Sequence, residues 1–83
     1  MSRMDLTNVR AEALFVSDLQ RSEDVTPDRV RAAVRDTVRR YGVNGLAPRV
    51  AEEFGEHPDI AVGRMNWCLC AIQDAYAPDA HAA

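Results

Sequence analysis

The sequence contains no lysine: its ten basic residues are all arginine, and 13 acidic residues leave a formal net charge of −3. An acidic chain gains nothing from long-range attraction to nucleic acid or to an anionic membrane. No apolar run approaches the roughly 18 residues that span a bilayer, and residues 1–12 lack the apolar core of a signal peptide. We therefore expect a cytoplasmic protein. Arginine in place of lysine, with abundant alanine and valine, indicates a bacterial genome rich in G and C.

The residues from which active sites are usually built are also scarce. The two histidines, His57 and His81, cannot alone supply a catalytic triad or a typical zinc site. Cys68 and Cys70 are two apart on a predicted helix and point to opposite sides, which excludes a mutual disulfide or a shared metal there. There is no glycine-rich phosphate-binding loop. We therefore expect a non-enzymatic protein without a metal or cofactor.

The length and composition indicate one folded domain. With 83 residues, 47% of them hydrophobic and 28% charged, the chain has the composition of a globular protein. A domain of this size buries only about 60–65% of its extendable surface, so association with a partner would add stability. We expect a single helical domain over residues 1–83, ordered over about residues 5–77, with a flexible tail at residues 78–83.

The most apolar stretch, residues 58–76, holds the only tryptophan and both cysteines. On a helix of about 100° per residue it is apolar most of the way round. Its central stripe consists of Ala61, Met65, Cys68, Ile72 and Ala75. The apolar flanks consist of Val62, Leu69 and Tyr76 on one side and Ile60, Trp67 and Ala71 on the other. A thin polar strip consists of Asp59, Gly63, Asn66, Cys70, Gln73 and Asp74. A helix with so wide an apolar surface is typical of a central helix, which the rest of the chain surrounds.

Three more helices are predicted before this one, which makes the fold all-α. Thr26-Pro27-Asp28 starts a helix with a hydroxyl N-cap, a proline in the first position and an acid in the first turn. It runs to Tyr41 and is closed by Gly42. A further helix covers about residues 46–54 and is ended by Gly55, after which Pro58 opens the last helix. The prediction is a small four-helix domain with a helix-turn-helix-like second half and a central C-terminal helix.

The first helix is predicted over about residues 6–20, with Asp5 or Thr7 as its N-cap. It is apolar on more than one side. Leu6, Val9, Ala13 and Val16 share one face, Phe15 and Leu19 the next, and Leu14 points elsewhere. The favoured interpretation is a helix packed between two others. The alternative is a face that binds a partner, and leftover apolar surface in so small a domain predicts a homodimer. Its interface would be formed by Leu14, Phe15, Leu19 and Trp67, with Phe15 near the centre, unless Trp67 lies in the core.

The segment from Val50 to Gln73 combines a helix, a short glycine-containing turn and a longer helix. It contains Ala51-Glu52-Glu53-Phe54-Gly55 and then Arg64-Met65. This resembles the helix-turn-helix of the region-4 type found in bacterial sigma factors and related regulators. The resemblance implies a close helix crossing at Ala51, a turn at Gly55 and a second helix that reads DNA, with Asn66 among the candidate contacts. Residues 44–83, however, carry six acids against two arginines, which is the wrong sign for a phosphate backbone.

Three arginines, Arg31, Arg35 and Arg39, recur at every fourth residue and so stack along one side of the second predicted helix. They form either a basic stripe for phosphate or an acidic partner, or a solvated face with local ion pairs. The second interpretation is favoured, with Asp28 pairing with Arg31 and Asp36 with Arg39 or Arg40. Anion or nucleic-acid contacts, if present, would be made by Arg31, Arg35, Arg39, Arg64 and Asn66.

These observations favour a non-enzymatic regulatory or adaptor domain that acts through protein–protein interaction, as a homodimer or with another protein. The alternative is a helix-turn-helix transcriptional regulator that binds DNA. Salt dependence separates the two hypotheses, because DNA binding releases counterions and weakens steeply as salt rises.

Overall fold

A computed structural model describes residues 3–77, and the side chains of residues 6–77. Four helices follow one another: α1 (Arg3–Val16), α2 (Pro27–Tyr41), α3 (Leu46–Glu56) and α4 (Pro58–Tyr76), with a 3-10 turn at Val43–Gly45 before α3. No strand occurs within residues 3–77, so the all-α prediction is confirmed. The predicted flexible tail at residues 78–83 lies outside the described residues. No helix in the described part of the chain is long and apolar enough to cross a membrane.

Helix α1 begins earlier and ends earlier than predicted. Asp5 and Thr7 both lie inside it, so neither is the N-cap. The predicted end at Gln20 is wrong because the Ser17 side chain forms hydrogen bonds with backbone groups that would otherwise continue the helix. Its hydroxyl donates to the carbonyl of Leu14 at 2.6 Å and accepts from the N–H of Leu19 at 3.3 Å. Serine at such a position offers the chain an alternative to further helical hydrogen bonds.

Helix α2 has the predicted bounds and caps. The Thr26 hydroxyl accepts a hydrogen bond from the N–H of Arg29 at 3.2 Å, and Pro27 follows it in the first helical position. At the other end Gly42 has a φ of 72° and donates its N–H to the carbonyl of Val38 at 2.8 Å. Glycine adopts this left-handed conformation without the steric penalty of a side chain.

The break between α3 and α4 falls at His57, so the predicted stop and turn at Gly55 are wrong. Gly55 is helical, and only Gly42 has a positive φ among the glycines of the described chain. Pro58 explains the position of the break, because a proline disfavours helical geometry in the residue before it. Ala51 is exposed and does not lie at a helix crossing.

The core lies where α1 and α4 meet, since each of them packs against all three other helices. The predicted central position of α4 is confirmed, and α1 shares it. Four of the five stripe residues of α4 are buried, and Met65 is half-buried. The whole predicted polar strip is exposed. The flanks differ from the prediction, because Ile60 is 71% and Val62 50% exposed. The neighbouring helices cover the stripe and the later part of both flanks of α4, and they leave these two positions near its start in solvent.

Candidate interaction surfaces

Arg64 lies in α4 and reaches across to the C-terminal end of α1. Its Nε donates to the carbonyl of Phe15 at 2.9 Å, and its Nη2 lies 3.0 to 3.3 Å from three more carbonyls, those of Leu14, Ser17 and Leu19. A cation is stabilised there because a helix C-terminus carries partial negative charge. The guanidinium is therefore committed to holding α1 on α4. This corrects the expectation that Arg64 contacts an anion or nucleic acid.

Arg31 has a similar role at the end of α4. Its Nη1 donates to the carbonyl of Ala75 at 2.7 Å, and its Nη2 forms an ion pair with Asp28. The predicted pairing with Asp28 is confirmed, and the arginine also ties α2 to the last turn of α4. Both terminal nitrogens are thus engaged within the chain. Arg31 does not belong to an available basic stripe.

The other predicted polar contacts remain on the surface. Arg35 pairs weakly with its neighbour Asp36, at 3.5 Å, so Asp36 does not make the predicted pair with Arg39 or Arg40. Arg39 is exposed on the same helix, α2. Asn66 is exposed on the polar strip of α4. Of the three arginines in the predicted stripe, only Arg35 and Arg39 are therefore exposed to solvent.

The interface predicted on α1 is instead core. Leu14 is 0% exposed and Phe15 is 5% exposed. The ring of Phe15 stacks on that of Phe54 in α3, with centroids 5.8 Å apart and planes 16° apart. Helices α2, α3 and α4 cover α1 on several sides, as the favoured interpretation of its wide apolar surface required. Assigning these two residues to a partner was therefore wrong for the folded chain.

Leu19 and Trp67, the other two predicted interface residues, are half-buried against the core. The ring of Trp67 lies 5.5 Å from the guanidinium carbon of Arg64. It also lines a cleft of about 370 Å³ between the start of α2 and α4, beside Val30 and Cys70. Since Leu14 and Phe15 are buried, Leu19 and Trp67 do not form an exposed apolar patch with them on α1.

A groove of about 360 Å³ opens between the end of α1, α3 and the start of α4. We call it the α1/α3/α4 groove. Its lining combines buried apolar atoms, an exposed isoleucine and charged side chains: Phe15, Val16, Ala61, Ile60, Arg49, Glu52, Glu53 and Arg64. Ile60 stands out among them, because at 71% it is the most exposed large hydrophobic residue of the described chain.

The charges around this groove are unbalanced. Both of its cations are engaged elsewhere: Arg64 on the end of α1, and Arg49 over the Tyr41 ring at 4.1 Å with a hydrogen bond to the Gly45 carbonyl at 3.1 Å. Four exposed acids surround the groove and the α3–α4 junction, and we call them the acidic corner: Glu52, Glu53, Glu56 and Asp59. None of the four forms an ion pair with another residue in the range 6–77.

Sequence reasoning found the acids but missed the groove and Ile60. The helical wheel placed Ile60 on an apolar flank, and only the packing of the helices shows that nothing covers it. The sequence did contain a signal for the internal hydrogen bonds of Arg64. A lone arginine beside the apolar belt of a buried helix needs internal acceptors for its donors, so its position already indicates a structural role.

The two thiols differ in environment. Cys68 is fully buried, and this burial raises the pKa of its thiol from 9.0 to about 11, opposed in part by the positive charge of Arg64. Cys70 is exposed on the polar strip of α4. Burial also raises the pKa of Tyr76, against the nearby cation Arg10. Within the described residues no group of His, Cys, Asp and Glu has the arrangement of a metal site.

No family model matches the chain, and neither a curated protein nor a solved structure matches it.

Proposed function

We propose that this chain is a small, non-enzymatic regulatory or adaptor domain that acts by binding protein. The α1/α3/α4 groove is the observation that carries the proposal. Single exposed apolar residues are common on soluble proteins, but here Ile60 stands at the edge of a concave surface with an apolar floor. An apolar anchor seated in a pocket and rimmed by polar groups is the usual core of a protein interface.

Self-association is the second part of the proposal. The interface that we propose is an exposed surface of α4 instead of the buried face of α1, and we call it the outer strip of α4: Val62, Gly63, Asn66 and Cys70. Val62 is 50% exposed there, and a Cβ at Gly63 would meet no atom within 4 Å. A second helix can therefore approach the backbone closely at this point. Asn66 and Cys70 continue the same exposed surface, which is uncharged between Asp59 and Asp74. Two copies that met through this strip would be related by two-fold symmetry.

The dimer is tested by sedimentation of the full chain at micromolar concentration. We expect a dimer, and we expect Val62→Glu to weaken it by about tenfold or more, since the substitution places two carboxylates in the contact. Val43→Glu is the matched control: Val43 is 46% exposed and lies in the 3-10 turn instead of α4. Circular dichroism verifies that both variants stay helical. A single species of monomer mass for the unmodified chain would remove the dimer from the proposal.

DNA binding remains the alternative function. Its support is the resemblance of residues 50–73 to region-4-type helix-turn-helix segments, together with the exposed Asn66 and Gln73 on α4 and Arg39 on α2. The acidic corner at the start of α4 opposes it, because those carboxylates would repel phosphates near the entering end of a recognition helix.

We expect no duplex binding by fluorescence anisotropy at about 50 mM salt, on either random or selected sequences. Binding that weakens steeply with rising salt, and that Arg39→Ala reduces, would instead favour the DNA-binding regulator. If Arg39 contacts a phosphate, Arg39→Ala should also make the logarithm of the affinity fall less steeply with the logarithm of the salt concentration.

A further inference from the structure

We propose that the α1/α3/α4 groove docks a cationic segment of another protein, with one large apolar side chain inserted beside Ile60 and Lys or Arg side chains on the acidic corner. This inference rests on the proposed protein-binding function and names the chemistry of the partner. It is carried by three features: the shape of the groove, the charge around it, and the absence of a suitable surface on a second copy.

The shape of the groove suits a single bulky aliphatic or aromatic side chain. Its volume of about 360 Å³ exceeds that of one side chain and includes open space at the mouth. Phe15 and Ala61 form a floor that is already fixed by core packing, since both are buried. Ile60 is 71% exposed and therefore has the most apolar surface to gain from being covered. An incoming apolar group would thus meet a preorganised surface, which lowers the entropic cost of binding.

The charge selects a cationic partner. The acidic corner presents four exposed carboxylates, and none has an ion pair within residues 6–77. The two arginines of the groove, Arg64 and Arg49, contact only neutral carbonyls and rings, so they keep their positive charge and offset part of it. Four carboxylates against two guanidinium groups leave a net formal charge of −2 around the groove. Lysine or arginine on a bound segment would supply the missing counter-charge, and like charge would be repelled.

A second copy of the chain does not fit this groove. Two grooves facing each other would bring two acidic corners together, with repulsion between them. The basic face of α2 offers the right charge but no apolar anchor, since none of the exposed large hydrophobic residues within residues 6–77 lies on α2: they are Leu6, Val43, Ile60 and Val62. The occupant is therefore another protein. The homodimer proposed around Val62 and Gly63 of α4 leaves the groove lining free, and of the acidic corner only Asp59 lies on the same side of α4.

The test uses three synthetic peptides of equal length, designed as amphipathic helices. The first carries a leucine face flanked by Lys and Arg. The second keeps the leucines and replaces the basic residues by Glu. The third keeps the basic residues and replaces the leucines by Ala. Each is titrated into the full-length, isotopically labelled chain, and amide chemical shifts report both the affinity and the location of binding.

We expect the first peptide to bind about tenfold or more tightly than either of the others. The shifts should centre on Glu53, Ile60 and Ala61. Ile60→Ser should weaken binding severalfold, whereas the matched exposed variant Val43→Ser should not. The double variant Glu52→Gln/Glu53→Gln should weaken binding and flatten its salt dependence, whereas Asp24→Asn/Asp74→Asn, which removes the same charge at other exposed positions, should not.

Binding of the leucine–glutamate peptide in the groove as tightly as the basic one would overturn the inference about charge and leave the protein-binding function standing. Binding of the basic peptides away from Ile60, or equal affinity for the alanine version, would overturn the groove as the site. If none of the three peptides binds, the docking proposal fails, and sedimentation of the unmodified chain then decides separately whether any protein-binding function remains.

Discussion

Replacement of Arg64 by methionine is expected to lower the free energy of unfolding by about 2–4 kcal/mol. Methionine keeps an unbranched apolar stem against Phe15 and Trp67 but removes the donors to two carbonyls in the last turn of α1 and to two in the segment that follows it. Hydrogen bonds from charged donors are stronger than neutral ones, and part-buried carbonyls lose more than exposed ones when left without a partner. A domain of 83 residues has a total free energy of unfolding of only about 4–12 kcal/mol. The variant should therefore unfold at a much lower urea concentration than the unmodified chain.

Two other arginine substitutions control this experiment. Arg64→Lys keeps the charge but replaces the planar fork by a compact ammonium, so an intermediate loss of about 1–2 kcal/mol is expected. Arg49→Met removes an exposed arginine that contacts the Tyr41 ring and the carbonyl of Gly45, and should cost below about 1 kcal/mol. Urea unfolding followed by circular dichroism measures all three. Equal losses for Arg64→Met and Arg49→Met would contradict the role assigned to Arg64.

The substitution Phe15→Asp is expected to unfold the chain. Loss of a buried phenylalanine costs about 3–5 kcal/mol, and an unpaired carboxylate in the same place costs several more. Phe15 is 5% exposed and stacks on Phe54 between α1 and α3, so an aspartate at this position would lose the packing and leave its carboxylate largely buried. The helical signal at 222 nm should therefore collapse at room temperature.

This result separates two roles for Phe15. An interface residue would give a soluble, helical monomer after the same substitution, which is what the sequence-based dimer on α1 predicted. Phe15→Leu is the conservative control: it keeps an apolar side chain, loses the ring stack, and should cost only about 1–2 kcal/mol while leaving the chain folded. Leu19→Asp, at a half-buried position, should be milder than Phe15→Asp. Unchanged helicity and melting temperature for Phe15→Asp would show that Phe15 is not core.

The parts of the fold that the sequence predicted well depend on short-range interactions. Thr26 and Pro27 start α2, Gly42 ends it, and Pro58 starts α4, each through contacts within four residues along the chain. Such caps work in the same way whatever surrounds them. The boundary errors arose where two local signals competed. The Ser17 hydroxyl ended α1 early, and Pro58 prevailed over Gly55 as the end of α3.

The candidate site could be predicted only in part. The sequence supplied the acids of the groove and the exposed polar strip with Asn66, because charged residues mostly face solvent. It placed Phe15 and Leu14 wrongly because a helical wheel shows how much apolar surface a helix has but does not show which neighbours cover it. The same limit concealed Ile60, whose exposure depends on where α1 and α3 end beside α4.

The amino-acid sequence by itself determined the number of helices, most of their ends and the buried stripe of α4, because backbone capping and apolar periodicity are properties of adjacent residues. Only the tertiary structure decided which arginines are free. Arg64 bonds to carbonyls 45 to 50 residues away, and Arg31 to one 44 residues away. Those partners come within reach only when the helices cross at particular angles. The same crossing leaves a groove beside Ile60, since three helices of unequal length cannot cover one another completely.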